Sequence, residues 1–297
     1  MGKKQFSFKS NAPCFYRIQN GFMGLLLIVV LTSGCASNRK AQIPTGPHLK
    51  IATWNVNFGG SQKKRAAQII RKMDADIVCL QETNARWQSS LVAELKDLYP
   101  HMLFHNSRAA GGQAVLSKIP IVEKDWFVAG KGWFPVWILE AETTIGTLQI
   151  GSVHLRPPVS DTGSWVKGYF TTDSIRKGEI TALKARMNSK LPSIIVGDFN
   201  ESDSGDAVRY LEGQGMHNAL PQFDRKGKTW RWYLGPIKLS NRLDHILYDS
   251  RLDVSACGVV RAGGSDHFPI LAWVIPATKK LVPKNHSGSS LSIGVNY

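Results

Sequence analysis

A buried strand that ends on polar residues constrains this chain more than any other feature. Residues 193–200 read Ser-Ile-Ile-Val-Gly-Asp-Phe-Asn, so three β-branched apolar residues lead into an acid and an amide. A short continuous apolar run of this kind indicates a strand that is covered on both faces. Ligands of α/β folds collect at the carboxyl ends of strands, which makes Asp198 and Asn200 candidate functional residues. Asp and Asn are also ordinary turn formers, so this strand alone leaves both interpretations open.

The same arrangement recurs along the chain. Five further apolar strands end on, carry or follow an amide, an acid or an imidazole. These polar side chains are Asn55, Glu82, His154, Asp244 and the neighbouring pair Asp266 and His267. Six such strands are hard to explain as six unrelated turns, and together they predict one polar cavity where strands end.

These blocks, in this order, resemble the endonuclease/exonuclease/phosphatase superfamily of metal-dependent phosphohydrolases. The resemblance extends from about residue 50 to about residue 275. It implies an α/β fold, a four-layer α-β-β-α sandwich of two mixed sheets flanked by helices, with the site in a cleft at one edge. It also implies a phosphoester hydrolase, but it is far more specific for the superfamily than for the substrate.

The resemblance assigns three residues to a metal site. Glu82 matches the family glutamate that binds the catalytic metal, Asn55 would add a neutral oxygen, and Asp266 would add a second carboxylate. Oxygen ligands without thiolates suit Mg²⁺, with Mn²⁺ as a substitute. Asn57 stands where some nucleases have an acidic ligand, which leaves one or two metals open. For Glu82 the structural alternative is charge compensation at a helix N-terminus.

Five further residues match catalytic positions of the family. Asp198 would orient or deprotonate the attacking water, and the amide of Asn200 would donate to a phosphate oxygen. His267 and His154 would stabilise the phosphate, with Asp244 fixing the tautomer of His267 and favouring its cationic form. The abasic-site endonucleases lack the histidine at position 154, so its presence argues against that branch.

The substrate side of the cleft is less specific. Arg156 is a candidate phosphate ligand, because a guanidinium group binds phosphate oxygens in pairs. Aromatic residues in or near the predicted loops would stack on bases or contact lipid, or would cap the core instead. They are Trp133, Phe134, Trp165, Trp230, Trp232 and Tyr233, of which Trp165 is the preferred substrate contact. For Trp137, inside a strand, a core position is preferred, and His245, where Tyr is common, is interpreted as structural.

Residues 1–35 have the pattern of a bacterial lipoprotein signal. Basic residues precede an apolar run at 21–31 that is too short to span a bilayer comfortably. A Leu-Thr-Ser-Gly-Cys sequence resembles a lipobox and predicts cleavage before Cys35 and lipidation of its sulfur. Residues 36–48 would form a tether, and the protein would be lipid-anchored in the cell envelope, at the outer membrane or another extracytoplasmic face. An uncleaved anchor and a plain secretory signal are the alternatives.

The rest of the chain predicts one domain at 49–277 and a disordered tail at 278–297, which is rich in Ser, Gly and Lys. The net charge of +15 is concentrated at the two ends, so the central domain is only mildly basic. Such a charge favours an anionic substrate. Cys79 and Cys257 lie in apolar strands, where free buried thiols are commoner than a disulfide, and spacing does not decide between them.

Hydrophobic periodicity places helices and strands along this domain. Helices are predicted at 62–73, 85–98 and 174–189, with a short one near 205–212 and a loop at 156–168. Strands are predicted at 50–56, 76–81, 102–106, 113–117, 121–128, 137–142, 148–155, 193–196, 229–233, 243–248, 253–260 and 268–274. The β-α-β-α opening predicts parallel pairing of the first two strands.

Together these features predict a divalent-metal-dependent phosphoester hydrolase, with a phosphodiesterase of nuclease type as the first choice. A phospholipid or sphingomyelin phosphodiesterase and a small-molecule phosphatase are the enzymatic alternatives, so the partner is nucleic acid or a phospholipid headgroup. A non-catalytic binding lipoprotein is the alternative from another class, and the joint presence of eight polar site residues speaks against it. A monomer tethered through its N-terminal lipid is expected.

Overall fold

Two six-stranded sheets lie at the centre of the structure, a computed structural model that describes residues 38–278. The predicted signal with Cys35 and the predicted tail from residue 279 lie outside these residues. Among the residues described, no helix combines the length and the apolarity needed to cross a bilayer. Arg39, which belongs to the predicted tether, is bonded to the domain. Its backbone N–H donates to the carbonyl oxygen of Gln222, and its guanidinium pairs with Asp253 at 2.8 Å.

Helices and strands alternate at the start of the domain, a run of five strands follows, and strands dominate its end. In chain order they are β1 (Leu49–Asn55), α1 (Lys63–Met73), β2 (Ile77–Gln81), α2 (Ala85–Leu95), β3 (His101–His105), β4 (Gln113–Ser117), β5 (Ile121–Val128), β6 (Pro135–Thr143), β7 (Gly146–His154), α3 (Trp165–Thr171), α4 (Asp173–Arg186), β8 (Ser193–Asp198), α5 (Asp206–Gly213), β9 (Met216–Asn218), α6 (Leu220–Phe223), β10 (Trp230–Leu234), β11 (Ile237–Asn241), β12 (Asp244–Asp249), β13 (Leu252–Val259) and β14 (Ile270–Pro276).

Both large sheets are mixed. The first has the order β13-β14-β1-β2-β4-β3, and the second has the order β5-β6-β7-β8-β12-β9. The pairs β1–β2 and β7–β8 are parallel, and the other pairs are antiparallel. The predicted parallel start and the predicted four-layer α-β-β-α sandwich are therefore confirmed. Strands β10 and β11 form a separate two-stranded ribbon.

Successive side chains of β8 point into the apolar clusters on the two sides of its sheet, which explains how the layers pack. In β8, Ile194 and Val196 point into the apolar cluster between the two sheets, whereas Ile195 points into the cluster beneath α4 and α5. A strand covered on both faces must be apolar at each position, which is why this segment has no polar alternation. Trp137 is fully buried between the sheets, as predicted, and Cys79 and Cys257 are buried free thiols.

Four short elements were not predicted from the sequence. The segment at 156–168 was predicted to be a loop throughout, but α3 begins inside it, because the side chain of Ser164 accepts the N–H of Lys167 and caps the helix. Strand β9 and helix α6 have three and four residues, which is too short for a periodic signal. Strand β11 is largely exposed on both faces, so its burial does not alternate.

Gly197 marks the closest approach of β7 and β8, next to the polar edge of their sheet. Its φ is +143°, and an added Cβ would lie 1.9 Å from the carbonyl oxygen of Val153. We expect Gly197→Ala to lower the free energy of unfolding by about 3 kcal/mol or more, as measured by urea denaturation. Gly213→Ala is the control, because nothing lies within 4 Å of its added Cβ. Equal losses in the two variants would contradict this interpretation.

Candidate active site

The predicted strand ends meet at one cleft of about 660 Å³. Its polar lining includes six of the predicted residues, namely Glu82, His154, Asp198, Asn200, Asp266 and His267. Asn55 and Asp244 lie directly beneath this lining and bond to it. The structure thus brings together the eight polar residues that the sequence singled out, from segments as distant as β1 and the loop before β14.

Asn55 joins two carboxylates beneath the cleft. Its Nδ2 donates to Oε1 of Glu82 at 2.9 Å and to Oδ2 of Asp198 at 3.0 Å. Its Oδ1 accepts the backbone N–H of Asn57 at 3.0 Å. Because the amide nitrogen faces both acids and the oxygen is already bonded, this geometry favours a positioning role for Asn55 over the predicted role of metal ligand.

Glu82 follows β2 directly and reaches the cleft from a left-handed backbone conformation, with φ +64°. Its Oε2 accepts the backbone N–H of Phe58 at 3.1 Å, so the carboxylate is fixed from two sides. The N-terminus of α2 is capped by Asn84, whose side chain accepts the N–H groups of Arg86 and Trp87. Glu82 is therefore not needed as the helix cap, and its carboxylate remains available to the cleft.

His267 is held between two carboxylates. Its Nδ1 donates to Oδ2 of Asp244 at 2.8 Å, and its Nε2 lies 3.6 Å from Oδ2 of Asp198. Burial lowers the pKa of His267, but the negative charges of Asp244, Asp198 and Asp266 outweigh this effect and raise its pKa to about 10. The hydrogen bond to Asp244 and the nearby carboxylates therefore favour the cationic form of the imidazole.

His154 approaches the same carboxylate from β7, the strand next to β8 in the same sheet. Its Nδ1 lies 3.1 Å from the carbonyl oxygen of Ala110, which fixes the proton on Nδ1. Its Nε2 lies 3.7 Å from Oδ2 of Asp198 and 3.9 Å from Oε1 of Glu82. The ring of Phe134 stacks on the imidazole with 4.3 Å between centroids, so this predicted loop aromatic positions a site residue.

Asn200 turns the chain away from Asp198. Its φ of +52° is a conformation that Asn tolerates better than most residues. Its backbone N–H donates to Oδ1 of Asp198 at 2.9 Å, and its Nδ2 donates to the carbonyl of Leu155 at 3.0 Å. Only the second N–H of the Asn200 amide is left for a phosphate oxygen.

The cleft carries more negative charge than its partners neutralise. Asp173 and Glu201 in its lining pair with Arg176. Its four other carboxylates belong to Glu82, Asp198 and Asp266 in the lining and to Asp244 directly beneath it. Within 4 Å, the described residues offer them the imidazoles of His154 and His267 but no Lys or Arg side chain. Buried or half-buried carboxylates without counter-charge are costly, so this excess fits a bound divalent cation.

The oxygen atoms of the cleft fit a hard cation better than the nitrogen atoms do. Ligand atoms of Asp198, Asp244 and His267 lie within 4.8 Å of one another and form a candidate metal group by distance. In that group, however, Asp244 and His267 are already bonded to each other. Glu82 and Asp266 line the cleft and are not ion-paired to Lys or Arg. Mg²⁺ and Mn²⁺ prefer such carboxylate oxygens.

Asp266 is oriented by two neighbours. Its Oδ1 accepts from Nδ2 of Asn57 at 3.2 Å, and its Oδ2 accepts from the indole N–H of Trp230 at 3.2 Å. Asn57, which stands where some nucleases have an acid, thus donates to a carboxylate here. Trp230, one of the predicted loop aromatics, links the β10–β11 ribbon to the site.

Arg156 does not line the cleft, contrary to its predicted role as a phosphate ligand. Its guanidinium donates to the carbonyl of Val159 at 3.0 Å and to Asp161 at 2.8 Å. It also lies 3.5 Å from the centre of the Trp133 ring. Arg156 therefore orders the loop after β7 and lines a neighbouring pocket rather than this cleft.

Sequence reasoning missed Arg176, the arginine that does reach the cleft lining. Its Nε donates to Glu201 at 3.0 Å, and one terminal nitrogen donates to the carbonyl of Arg156 at 3.1 Å. It is one of several basic residues of α4, and nothing in the helical pattern distinguishes it from those that face solvent.

His245, which the sequence indicates to be structural, is buried and bonded to the carbonyl oxygen of Glu201.

Glu179 lies buried below the loop and accepts the backbone N–H of Arg156 at 3.0 Å. Burial raises its pKa to about 8. The unfolded chain loses this proton near pH 4.5, so Glu179 lowers the free energy of unfolding progressively between about pH 4.5 and pH 8. We expect the melting temperature of Glu179→Gln to exceed that of the parent at pH 8.5 but not at pH 4.

Glu140→Gln is the matched control for this pH effect. The pKa of Glu140 is lowered by hydrogen bonding to Gln149 and by Lys124, so its carboxylate stabilises the fold above its unfolded pKa. The Glu140 variant should therefore lose melting temperature relative to the parent as the pH rises. A Glu179 variant that followed the same direction would contradict the assignment of a neutral, buried Glu179.

A family profile decides the relationship. The Endonuclease/Exonuclease/phosphatase family profile matches residues 52–267. The chain belongs to this family. Members of the family are phosphoester hydrolases that depend on divalent metals, so this chain is an enzyme of that class.

Solved structures of the family have the same fold. An endonuclease/exonuclease/phosphatase from Beutenbergia cavernae DSM 12333 is 19% identical, with a TM-score of 0.59 over 77% of this chain and 72% of that one. Truncated Caenorhabditis elegans TDP2 is 18% identical, with a TM-score of 0.59 over 77% and 98%. An AP endonuclease from Archaeoglobus fulgidus is 19% identical, with a TM-score of 0.56 over 75% and 98%. No curated protein matches the chain. At these identities the likeness shows the fold alone.

Proposed function

We propose that this family member is a Mg²⁺-dependent phosphodiesterase of nuclease type. The observation that carries the proposal is the convergence of Glu82, Asp198 and Asp266 with two imidazoles in one cleft. Glu82 and Asp266 would hold the cation, which when bound polarises a phosphate and activates a water.

The chain's own residues then account for the movement of protons. Asp198, held by Asn55 and by the N–H of Asn200, accepts a proton from the attacking water. The water oxygen bonds to phosphorus as the bond to the leaving oxygen breaks. The cationic His267 stabilises the negative charge on the phosphate oxygens. His154 presents its Nε2 to the cleft and, once protonated there, gives that proton to the leaving oxygen.

Two observations support nucleic acid as the substrate. The β10–β11 ribbon, which borders the cleft, and the segment just before it carry the exposed basic residues Lys226, Lys228 and Lys238. One of the similar structures is D. rerio TDP2 complexed with single strand DNA product. The second candidate is a phospholipid phosphodiesterase, which is supported by the exposed apolar residues of the β10–β11 ribbon.

A parallel substrate test separates these candidates. Purified full-length protein is offered single-stranded DNA, duplex DNA, RNA, sphingomyelin and phosphoinositides, each with Mg²⁺, Mn²⁺ or a chelator. We expect hydrolysis of nucleic acid that requires the metal and falls steeply with salt, because phosphate contacts release counterions. Release of a lipid headgroup without any cleavage of nucleic acid would overturn the nuclease proposal.

We also propose that the enzyme is a lipoprotein of the cell envelope. The support is the lipobox-like sequence before Cys35 and the basic, apolar order of the residues preceding it. The test is incorporation of a labelled fatty acid in bacteria that express the full chain, with Cys35→Ser as the control. Equal labelling of parent and control would contradict acylation at this cysteine.

A further inference from the structure

The β10–β11 ribbon has two different faces. Its register pairs Trp232 with Leu239 and Leu234 with Ile237, and directly paired residues lie on the same face. These four side chains are apolar and 45–63% exposed, and the pair of Trp230 with Asn241 continues the same face toward the base of the ribbon. The opposite face carries Tyr233 paired with Lys238, together with Arg231. An exposed apolar face beside a cleft is typical of a binding site.

The apolar face runs directly into the active-site cleft. Leu239 and Trp230 belong to the cleft lining, and the indole of Trp230 bonds to Asp266. A β-bridge between Trp230 and His267 fixes the base of the ribbon beside the catalytic imidazole. An occupant of the Leu239 end of this face therefore also reaches the cleft, where the non-phosphate part of a substrate would lie.

A second exposed indole borders the same cleft. Trp165 is the first residue of α3, lines the cleft and is 65% exposed. Its backbone is fixed by the cap that Ser164 provides. The cleft is thus bordered by an indole of α3 and by the ribbon face that carries Trp232. Such faces bind flat, unsaturated rings by stacking.

The basic residues near the ribbon indicate which class of molecule would bring flat rings to this face. Lys226 and Lys228 are exposed just before β10. Regularly spaced phosphates with a flat group on each unit match this combination of cations and rings. In a duplex the base faces are covered by neighbouring bases, so only unpaired bases can reach the indoles.

We infer that the cleft selects single-stranded nucleic acid by stacking unpaired bases against Trp165 and the Trp232–Leu239 face. This inference rests on the proposed nuclease function and names the form of its substrate. Tyr233 is excluded from the contact, since it lies on the opposite face of the same ribbon.

The test measures binding of the full chain by fluorescence anisotropy, with a chelator present to prevent turnover. Three probes of equal length are compared: a single strand, a duplex, and a single strand of abasic residues that keeps the phosphates. We expect the single strand to bind at least about 10-fold more tightly than the other two. Trp165→Ala and Trp232→Ala should each weaken single-strand binding about 5-fold or more. Tyr233→Ala, which is 61% exposed, should bind like the parent.

Several outcomes would overturn the inference. Equal binding of the three probes would mean that phosphates alone are recognised. Equal losses for Trp232→Ala and Tyr233→Ala would mean that the ribbon acts without a preferred face. Tighter binding to anionic phospholipid vesicles than to the single strand, lost in Trp232→Ala, would identify a membrane surface instead. Base-independent binding together with metal-dependent DNA cleavage would remove the inference but leave the proposed function; cleavage of no nucleic acid would remove the proposed function itself.

Discussion

Glu82→Gln should abolish metal-dependent turnover while the fold remains intact. The variant keeps the length of the side chain and one acceptor oxygen, so it can retain one of the two hydrogen bonds from Asn55 and Phe58, but it loses the negative charge. A divalent ion contributes several kcal/mol to the stabilisation of the phosphoryl transition state, which corresponds to about a 10³-fold loss of kcat. Initial rates on a chromogenic phosphodiester give this loss, and calorimetric titration with Mg²⁺ should show weaker binding.

Glu94→Gln is the control for this prediction. Glu94 lies on α2, the helix that follows Glu82, and does not line the cleft. Its variant should hydrolyse the diester at the parent rate, and both variants should keep the melting temperature within a few degrees of the parent. Parent-like turnover by Glu82→Gln would mean that the cation is held by Asp198, Asp244 and His267, and our choice of ligands would be wrong.

Residues at strand ends were the predictable part of this molecule. Strand β8 is buried on both faces, so its apolar run identifies it without knowledge of its neighbours, and Asp198 at its end follows from that. Two parallel strands end at the same edge of their sheet, and in an antiparallel pair the end of one strand lies beside the start of the other. The polar residues at these ends and starts therefore meet at one edge. Sequence alone therefore located the residues of the cleft.

The direction of each side chain was not predictable in the same way. The amide of Asn55 is oriented by Glu82 and Asp198, 27 and 143 residues further along the chain. Arg156 is withdrawn from the cleft because Asp161 and the Trp133 ring satisfy its guanidinium. These partners come from loops whose approach depends on the finished fold, so spacing in the sequence carries no signal for them.

The walls of the cleft were the least predictable part. Helix α3 follows a loop rich in Pro and Gly, and β11 has no buried face, so neither has the periodicity that marks a core element. Yet these two elements carry Trp165 and Leu239, the residues that border the substrate side of the cleft. The outer wall of the cleft is thus built where the hydrophobic pattern is weakest, whereas its acids and imidazoles lie beside the strands where that pattern is strongest.

Asp244→Asn should reduce kcat/KM by about 10³-fold with little effect on the fold. The buried carboxylate accepts the Nδ1–H of His267 and holds the imidazole as a cation facing Asp198. An asparagine of the same shape is neutral, and its amide can donate to Nδ1, which moves the ring proton to Nε2 and removes the positive charge from the phosphate. The rate is measured on the chromogenic diester, and the fold is monitored by thermal unfolding.

Asp249→Asn separates this effect from a general loss of charge on β12. Asp249 lies at the other end of the same strand and pairs with Arg251 at 2.7 Å near the surface. Its variant should therefore lose at most about 1 kcal/mol of stability and keep the parent rate. If Asp244→Asn kept the parent rate as well, His267 would not need its counter-ion, and a cationic imidazole could not be part of the mechanism.

A second variant applies if Asp244→Asn fails to fold. Asp244→Glu restores the charge at a shifted position and should recover the fold. Its activity should be only partial, because the Nε2 of His267 would no longer be aimed at the phosphate.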